Sequence, residues 1–344
     1  MRDMPNLDFV RALAVITVVL EHTLLGLGIQ QVGPFPVAYL GVLGVLVFFV
    51  LTTLVLMWSL ERRPHTLDFY IRRFFRIYPL ALTALAIAVL FRAPTGGTPQ
   101  NIFLYAYPHA RDLLMQATLL PLTVPTSPYV LGVMWSLPYE VEMYLLLPFI
   151  FFFVRRNFSL WPLLLVWALV FLNTRTLPTD SHNFAVSIDY FLPGVIAYVG
   201  FGRWKQILPA WLLPLFLLAL WPIFLYRCNF HKGWWFCLII GLALPLFRQM
   251  NSEILLAPSR QIAKYSYGIY LTHLFAIVIG IHFLSGHSIG LRLLVEALLL
   301  IVFPVLAYHL VEHPMIRVGS RLAAKAEKRY EQREMEAFHN VPAA

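Results

Sequence analysis

Residues 6–23 read NLDFVRALAVITVVLEHT, an apolar stretch that carries an arginine near its start and a histidine near its end. Arg11 and His22 are 11 residues apart, which is almost three helical turns, so both side chains point from one face. They lie about 16 Å apart along the axis of such a helix. Because ionisable groups inside a membrane are costly, they usually face a bundle interior or a water-filled cavity. The stretch therefore predicts a transmembrane helix with a polar track. A structural role, with Arg11 at the headgroups and His22 packed between helices, is the alternative.

The composition extends this prediction to the whole chain. Of 344 residues, 60% are hydrophobic and only 12% are charged, and the mean hydropathy is +0.72. Soluble proteins carry about 25% charged residues. Because apolar runs recur from end to end, the sequence predicts an all-α, polytopic transmembrane helical bundle. A span needs about 20 apolar residues, and about ten spans are expected, at 8–28, 37–60, 77–92, 133–154, 159–173, 184–201, 207–225, 233–248, 265–285 and 289–311.

The basic residues predict the orientation of these spans. With a cytoplasmic N-terminus, most of the 26 Lys and Arg residues fall in inner segments, so both termini are expected to be cytoplasmic. This distribution explains the net charge of +9 without a nucleic-acid partner. The loop 93–132 is expected outside, with an interfacial helix near 110–120. The predicted domains are a transmembrane domain, 1–313, and a basic cytoplasmic tail, 314–344, expected as a solvated or membrane-surface helix.

A cluster of arginines lies in the segment FYIRRFFRIYPL, residues 69–80. Arg72 and Arg73 are four and three residues before Arg76, a spacing that groups them on one side of a short cytoplasmic helix. Guanidinium groups bind phosphates through paired hydrogen bonds. The cluster therefore predicts a phosphate site, with a topology signal alone as the alternative.

Two further segments carry polar residues inside apolar runs, WSLPYEVEMYLLLPF from Trp135 and YSYGIYLTHLF from Tyr265. Glu140 and Glu142 are about 200° apart around a helix, so only one of them can face a given cavity. A carboxylate near a helix start is also favourable without any further role. His273 lies within the ninth predicted span, where a histidine is as often structural as functional.

Together these segments resemble the acyltransferase 3 family of integral membrane acyltransferases. The matches run in the family's order along nearly the whole chain. They comprise Leu7, Asp8, Arg11, Ala12, Ala14, Val18 and His22; VFFVL from Val47; Arg72, Arg73, Arg76 and Pro79; Trp135, Ser136, Leu137, Glu140 and Tyr144; Ser266, Tyr267, Tyr270 and His273; and Glu312 and Pro314. Two departures stand out. Glu21 replaces a residue that is usually apolar or aromatic, and Thr52-Thr53 replaces a Ser-Gly pair.

The resemblance implies the membrane-only form of an enzyme that moves an acyl group, commonly acetyl, from cytoplasmic acyl-CoA to a hydroxyl. The acceptors in this family are mostly carbohydrates and glycolipids, and the expected location is the bacterial inner membrane. Acyl-CoA, the acceptor and the lipid bilayer are the expected partners. No metal is expected. A secondary transporter or flippase is the alternative, because intramembrane His, Arg and Glu also form proton relays, although no pair of matching halves is visible.

The same reasoning assigns residues to roles. His22 is predicted to be the general base on the acceptor hydroxyl, and Glu140 either orients His22 or binds the acceptor. The predicted donor site comprises Arg11, Arg72, Arg73 and Arg76. The predicted acceptor site comprises Trp135, Glu142, Tyr144 and His273.

Overall fold

The computed structural model describes residues 4–97, 101–120, 129–157, 160–176, 185–227 and 233–339. A short antiparallel hairpin, β1 (Gln31–Val32) and β2 (Phe35–Pro36), turns at Gly33, whose φ of +59° favours glycine. Within the described ranges the chain otherwise forms twelve α-helices, α1 (Pro5–Gly26), α2 (Ala38–Arg62), α3 (Thr66–Leu90), α4 (Ala110–Thr118), α5 (Leu137–Asn157), α6 (Leu160–Thr176), α7 (Ala185–Arg203), α8 (Leu212–Arg227), α9 (Trp234–Ala243), α10 (Glu253–Ile277), α11 (Ile289–Ala307) and α12 (His313–His339).

Several of these helices have the length and composition of membrane spans. In the described part of the chain, six helical stretches are long and apolar enough to cross a bilayer, at Pro5–Gly26, Ala38–Arg62, Thr66–Leu90, Gly132–Arg155, Glu253–Phe283 and Ile289–Arg329. Shorter apolar helices occupy Trp161–Leu172, Leu212–Tyr226 and Trp234–Leu246. The chain is therefore a multi-pass helical membrane protein, whereas the total of ten spans and the side of each terminus stay predictions. The expected helix near 110–120 is confirmed as α4.

Helix α3 differs from its prediction. The span was expected to begin at residue 77, after a separate short cytoplasmic helix, but one helix runs from Thr66 to Leu90. It continues through Pro79, whose carbonyl accepts a hydrogen bond from the Thr83 hydroxyl at 2.7 Å. The arginines in its first half suggested a helix outside the membrane. They are accommodated because carboxylates from within the bundle neutralise them, as Asp68 does for Arg72.

The C-terminal segment also differs from its prediction. A π-helical turn, Tyr308–Glu312, joins α11 directly to α12, so the predicted boundary at residue 314 lies within continuous helix. The first part of α12 packs along α3, while many of its other described side chains are exposed, so the solvated or membrane-surface helix stays a prediction. A Cβ atom added to Gly319 would lie 2.5 Å from Phe75 Cβ, and Ala323 is fully buried. The start of the tail is therefore part of the bundle.

Helix α2 is the centre of the bundle, with α1 and α7 packed closely against it. Small residues allow these approaches, as is common between membrane helices. A Cβ on Gly44 of α2 would lie 2.4 Å from the Ala14 carbonyl oxygen of α1. A Cβ on Gly194 of α7 would lie 2.6 Å from Thr53 Cβ. The glycine that is missing from α2 at the Thr52-Thr53 departure is thus supplied by the partner helix. Since α1 also packs against α10, its polar residues are enclosed.

Candidate active site

A cavity of about 270 Å³ opens among α1, α2, α3, α5 and α10, and we call it the arginine cavity. Its ionisable lining includes Arg11, Arg73, Arg76 and Glu140, so cations outnumber carboxylates by three to one. The remaining polar lining residues are Thr52, Ser136, Tyr144, Ser266, Tyr267 and Tyr270. An excess of positive charge inside a low-dielectric bundle attracts an anionic ligand strongly.

The arginines in this cavity are held in different ways. Arg76 forms an ion pair with the buried carboxylate of Glu312, and its guanidinium carbon lies 5.8 Å from the centroid of the Tyr267 ring. The Arg73 guanidinium carbon lies 5.9 Å from the centroid of the Phe69 ring. Its Nε atom is buried and has no hydrogen-bond partner in the described part of the chain. Arg73 therefore keeps a donor that an anionic ligand could satisfy.

Arg72 does not line the arginine cavity. Its Nε donates to both carboxylate oxygens of Asp68, at 2.9 and 2.8 Å, and its Nη1 donates to the Ser320 hydroxyl at 3.0 Å. The structure thus brings together three of the four arginines of the predicted donor site. Arg72 instead joins α3 to α12.

The two glutamates of α5 separate as their spacing predicted. Glu140 lines the arginine cavity, where it accepts a hydrogen bond from the Tyr144 hydroxyl and experiences the charges of the three arginines. Glu142 lines neither this cavity nor the one that contains His22, and its Oε2 is buried without a hydrogen-bond partner among the described residues. Glu140 also does not line the cavity of His22, so the structure places it on the arginine side.

A second cavity, of about 210 Å³, contains His22, and we call it the histidine cavity. The His22 Nδ1 atom lies 2.9 Å from the Val18 carbonyl oxygen, and since a carbonyl can only accept, Nδ1 carries the proton. This tautomer leaves Nε2 as a proton acceptor. The other polar or small lining residues are Glu21, Gly41, Thr95, Gly97, Gly132, Trp135 and Tyr270.

His273 contacts His22 from α10 without lining the histidine cavity itself. The two ring centroids are 5.1 Å apart with an interplanar angle of 68°, an edge-to-face arrangement. The His273 Nδ1 donates to the Ile269 carbonyl oxygen at 3.0 Å, and its Nε2 is buried and has no partner in the described ranges. Nowhere in the described ranges do three or more His, Cys, Asp or Glu side chains come together as a potential metal site.

Tyr270 separates the two cavities, and the sequence includes it among the family matches without assigning it a role. Together with Val45, its side chain lines both cavities. Its hydroxyl donates to the Val133 carbonyl oxygen at 2.7 Å and accepts from the Ser136 hydroxyl at 2.7 Å. The spacing could have indicated a role for Tyr270, because a residue three positions before His273 lies on the same helix face. The single polar track predicted from Arg11 and His22 is thus divided into two cavities.

The fold and the adjoining cavities define a multi-pass helical membrane protein whose ionisable residues converge inside the bundle. A model of the acyltransferase 3 family, described as an acyltransferase domain, matches residues 4–310 of the 344-residue chain. The chain therefore belongs to this family, which confirms the resemblance seen in the sequence, and at the family's level it is a membrane acyltransferase. No curated protein and no solved structure matches the chain.

Proposed function

We propose that this protein transfers an acyl group, acetyl being expected, from cytoplasmic acyl-CoA to a hydroxyl of a carbohydrate or glycolipid at the bacterial inner membrane. One observation carries this proposal. A cavity rich in arginine and a cavity that contains a histidine with a protonated Nδ1 share the side chains of Tyr270 and Val45. The first suits an anionic donor and the second suits proton transfer, as an acyl transfer from coenzyme A requires.

The donor is proposed to bind in the arginine cavity. Coenzyme A carries phosphates, which arginine binds through charge-assisted hydrogen bonds. A cavity of about 270 Å³ is smaller than the whole donor, so only its narrow arm enters. The phosphates then stay near the opening, where the side chain of Arg76 is 32% exposed. Arg73, whose buried Nε has no partner among the described residues, donates to the same phosphates. Arg11 lines the cavity beside the arm, while Arg72 adds positive charge nearby.

His22 is proposed to act as the general base. Its Nε2 takes the proton of the acceptor hydroxyl while the hydroxyl oxygen attacks the thioester carbonyl carbon. When the tetrahedral intermediate collapses, the carbon–sulfur bond breaks, and the departing thiolate takes the proton from the imidazolium. The hydrogen bond from Nδ1 to Val18 keeps the ring in the tautomer that this step needs.

The remaining predicted residues take supporting roles in this proposal. Trp135 offers its ring to the acceptor in the histidine cavity, and His273 packs against the catalytic ring. Glu140, bonded to Tyr144, orients the arginines on the donor side. Glu142 lines neither cavity. It therefore has no contact with an acceptor group that is bound inside either of them.

The proposal is tested by the release of free coenzyme A. Purified protein in vesicles is given acetyl-CoA with and without membrane carbohydrate, and we expect release and acyl incorporation that depend on the acceptor. The His22→Gln variant is the control and should abolish both signals. Absence of release with every carbohydrate fraction, together with uptake of solute by the same vesicles, would favour the transporter alternative.

The orientation needs a separate measurement. In a variant with Cys228→Ser and Cys237→Ser, single cysteines are placed at Pro64 and Ser285, which are both exposed. Since the positive-inside distribution places the first inside and the second outside, an impermeant thiol reagent should label only Ser285→Cys in intact cells. Lysis should expose Pro64→Cys. Labelling of both positions in intact cells contradicts the predicted topology.

A further inference from the structure

Glu21 carries a second carboxyl group into the bundle, next to the proposed base. Its side chain is only 6% exposed, and it lines the histidine cavity together with His22 and Trp135. A carboxyl within a membrane helix is costly and is retained where it has a functional partner. Neither the donor site nor the proton transfer proposed above uses this group.

The structure provides a dedicated space for this carboxyl. A Cβ atom added to Gly41 of α2 would lie 1.6 Å from Glu21 Oε2 and 2.8 Å from Glu21 Cδ, so no larger residue fits there. The Gly41 backbone amide also hydrogen-bonds the carboxyl. The Glu21 side chain of α1 thus lies directly against the Gly41 backbone of α2, and this contact holds the carboxyl at the edge of the histidine cavity.

The partners of Glu21 differ from those of other buried glutamates. Glu140 accepts from the Tyr144 hydroxyl, Glu296 accepts from the Thr23 hydroxyl, and Glu312 pairs with Arg76. In the ranges that the structure describes, Glu21 has a backbone partner and no side-chain partner. Buried polar groups are normally fully hydrogen-bonded. The remaining capacity of this carboxyl is thus available to a molecule inside the cavity.

We propose that Glu21 determines acceptor specificity, by accepting hydrogen bonds from a hydroxyl or amino group of the sugar beside the hydroxyl that reacts at His22. This inference rests on the proposed acyl transfer. Carboxyl oxygens accept from such donors, and the Trp135 ring lines the same cavity. A sugar that carries its own carboxylate at this position has no donor to offer, and its charge would be buried without a pairing cation. The selected class is therefore neutral or amino sugars, and uronic acids are disfavoured.

The first test compares three simple probes, methyl glucoside, methyl glucosaminide and methyl glucuronide. Each is measured as an alternative acceptor, or as a competitor of the membrane carbohydrate, with wild type and Glu21→Gln. For wild type, we expect the glucuronide to bind at least about tenfold more weakly than the other two, since leaving a buried hydrogen-bonding group without its partner costs about that factor. In Glu21→Gln the difference in binding between the glucuronide and the other two probes should shrink to about twofold, while the KM for acetyl-CoA stays unchanged.

The second test uses the contact between Glu21 and Gly41. Gly41→Ala places a methyl group where the carboxyl lies, so it should raise the acceptor KM about tenfold, as Glu21→Ala does. Once the carboxyl is absent, the added methyl has room. The double variant should therefore be no worse than Glu21→Ala alone, a non-additive result that a general packing defect does not produce. Donor KM and expression level are measured in parallel for all three variants.

The outcomes separate this inference from the proposed function. A wild type that transfers no acyl group to any carbohydrate overturns the proposed function. A wild type that transfers acyl groups but binds the three probes equally, or prefers the glucuronide, overturns the role of Glu21 alone. Additive losses in the double variant, or a difference between the probes that is unchanged in Glu21→Gln, also overturn it. Loss of the probe difference together with non-additivity supports it.

Discussion

The two cavities on either side of Tyr270 are built from different chemistry. The arginine cavity collects charges from three helices, and two of these groups already have partners within the protein, since Arg76 pairs with Glu312 and Glu140 accepts a hydrogen bond from Tyr144. The histidine cavity has a lining that is mostly apolar or small, with His22 and Glu21 as its ionisable members. This difference in lining suits the first cavity to binding the donor and the second to the reaction with the acceptor. Substitutions in the first cavity should affect donor affinity, and substitutions in the second should affect turnover or acceptor choice.

The largest effect is expected at His22. If its Nε2 takes the hydroxyl proton, His22→Gln should lower kcat by about 10²–10⁴-fold and leave the donor KM nearly unchanged. Glutamine can hydrogen-bond, but it cannot accept a proton near neutral pH. The measurement is the initial rate against acetyl-CoA concentration at saturating acceptor.

His273→Gln is the matched variant for this measurement. It replaces the histidine that contacts His22 edge to face but does not line the cavity. We expect a loss of kcat smaller than that of His22→Gln, because the base itself remains. Equal losses in the two variants would mean that the pair acts as one unit, and near-normal turnover in His22→Gln would remove His22 from the chemistry.

An intermediate effect is expected at the cavity arginines. Arg73→Ala and Arg76→Ala should each raise the donor KM about tenfold or more, because a charge-assisted contact to phosphate is worth about 1.5–3 kcal/mol. The acceptor KM should change little. The measurement is the KM for acetyl-CoA in membranes with equal amounts of each variant.

Arg72→Ala is the comparison that sharpens this prediction. It removes the same charge from the same region of α3, but its guanidinium is bound to Asp68 and Ser320 outside the cavity. The donor KM should therefore rise less than with Arg73→Ala. If the donor KM rises equally in all three variants, the arginines act through net charge, and lining the cavity makes no difference.

The smallest effect is expected at Glu312. Its ion pair holds Arg76, whose side chain is partly exposed, so solvent screening reduces the worth of the pair to about 1 kcal/mol or less. Glu312→Ala should raise the donor KM about two- to fivefold, whereas Glu312→Gln should cost less because its amide oxygen still accepts from Arg76. An unchanged donor KM in both variants would limit Glu312 to holding α12 against the bundle.

Two boundaries differ between the sequence prediction and the structure, the start of α3 and the start of the C-terminal tail. The sequence predicts that the arginines before residue 77 and the basic residues after Pro314 lie outside the bundle, because an unpaired charge is costly inside a membrane. In the structure, α3 and α12 pack together along these segments, and Asp68, Glu312 and Ser320 are the partners of Arg72 and Arg76. Asp68 is only four residues from Arg72. Glu312 and Ser320, in contrast, lie 236 and 248 residues from the arginines that they contact, so no local pattern could have revealed these two partners.

The sequence by itself determined the helical class, the family and the face that Arg11 and His22 share, because helix length and periodicity are properties of neighbouring residues. Only the tertiary structure decided that these two side chains open into different cavities, since Tyr270 comes from another helix and lies between those cavities. It also decided that Glu21 shares the cavity of His22. The space that allows this exists because Gly41, on α2, has no side chain where the two helices meet.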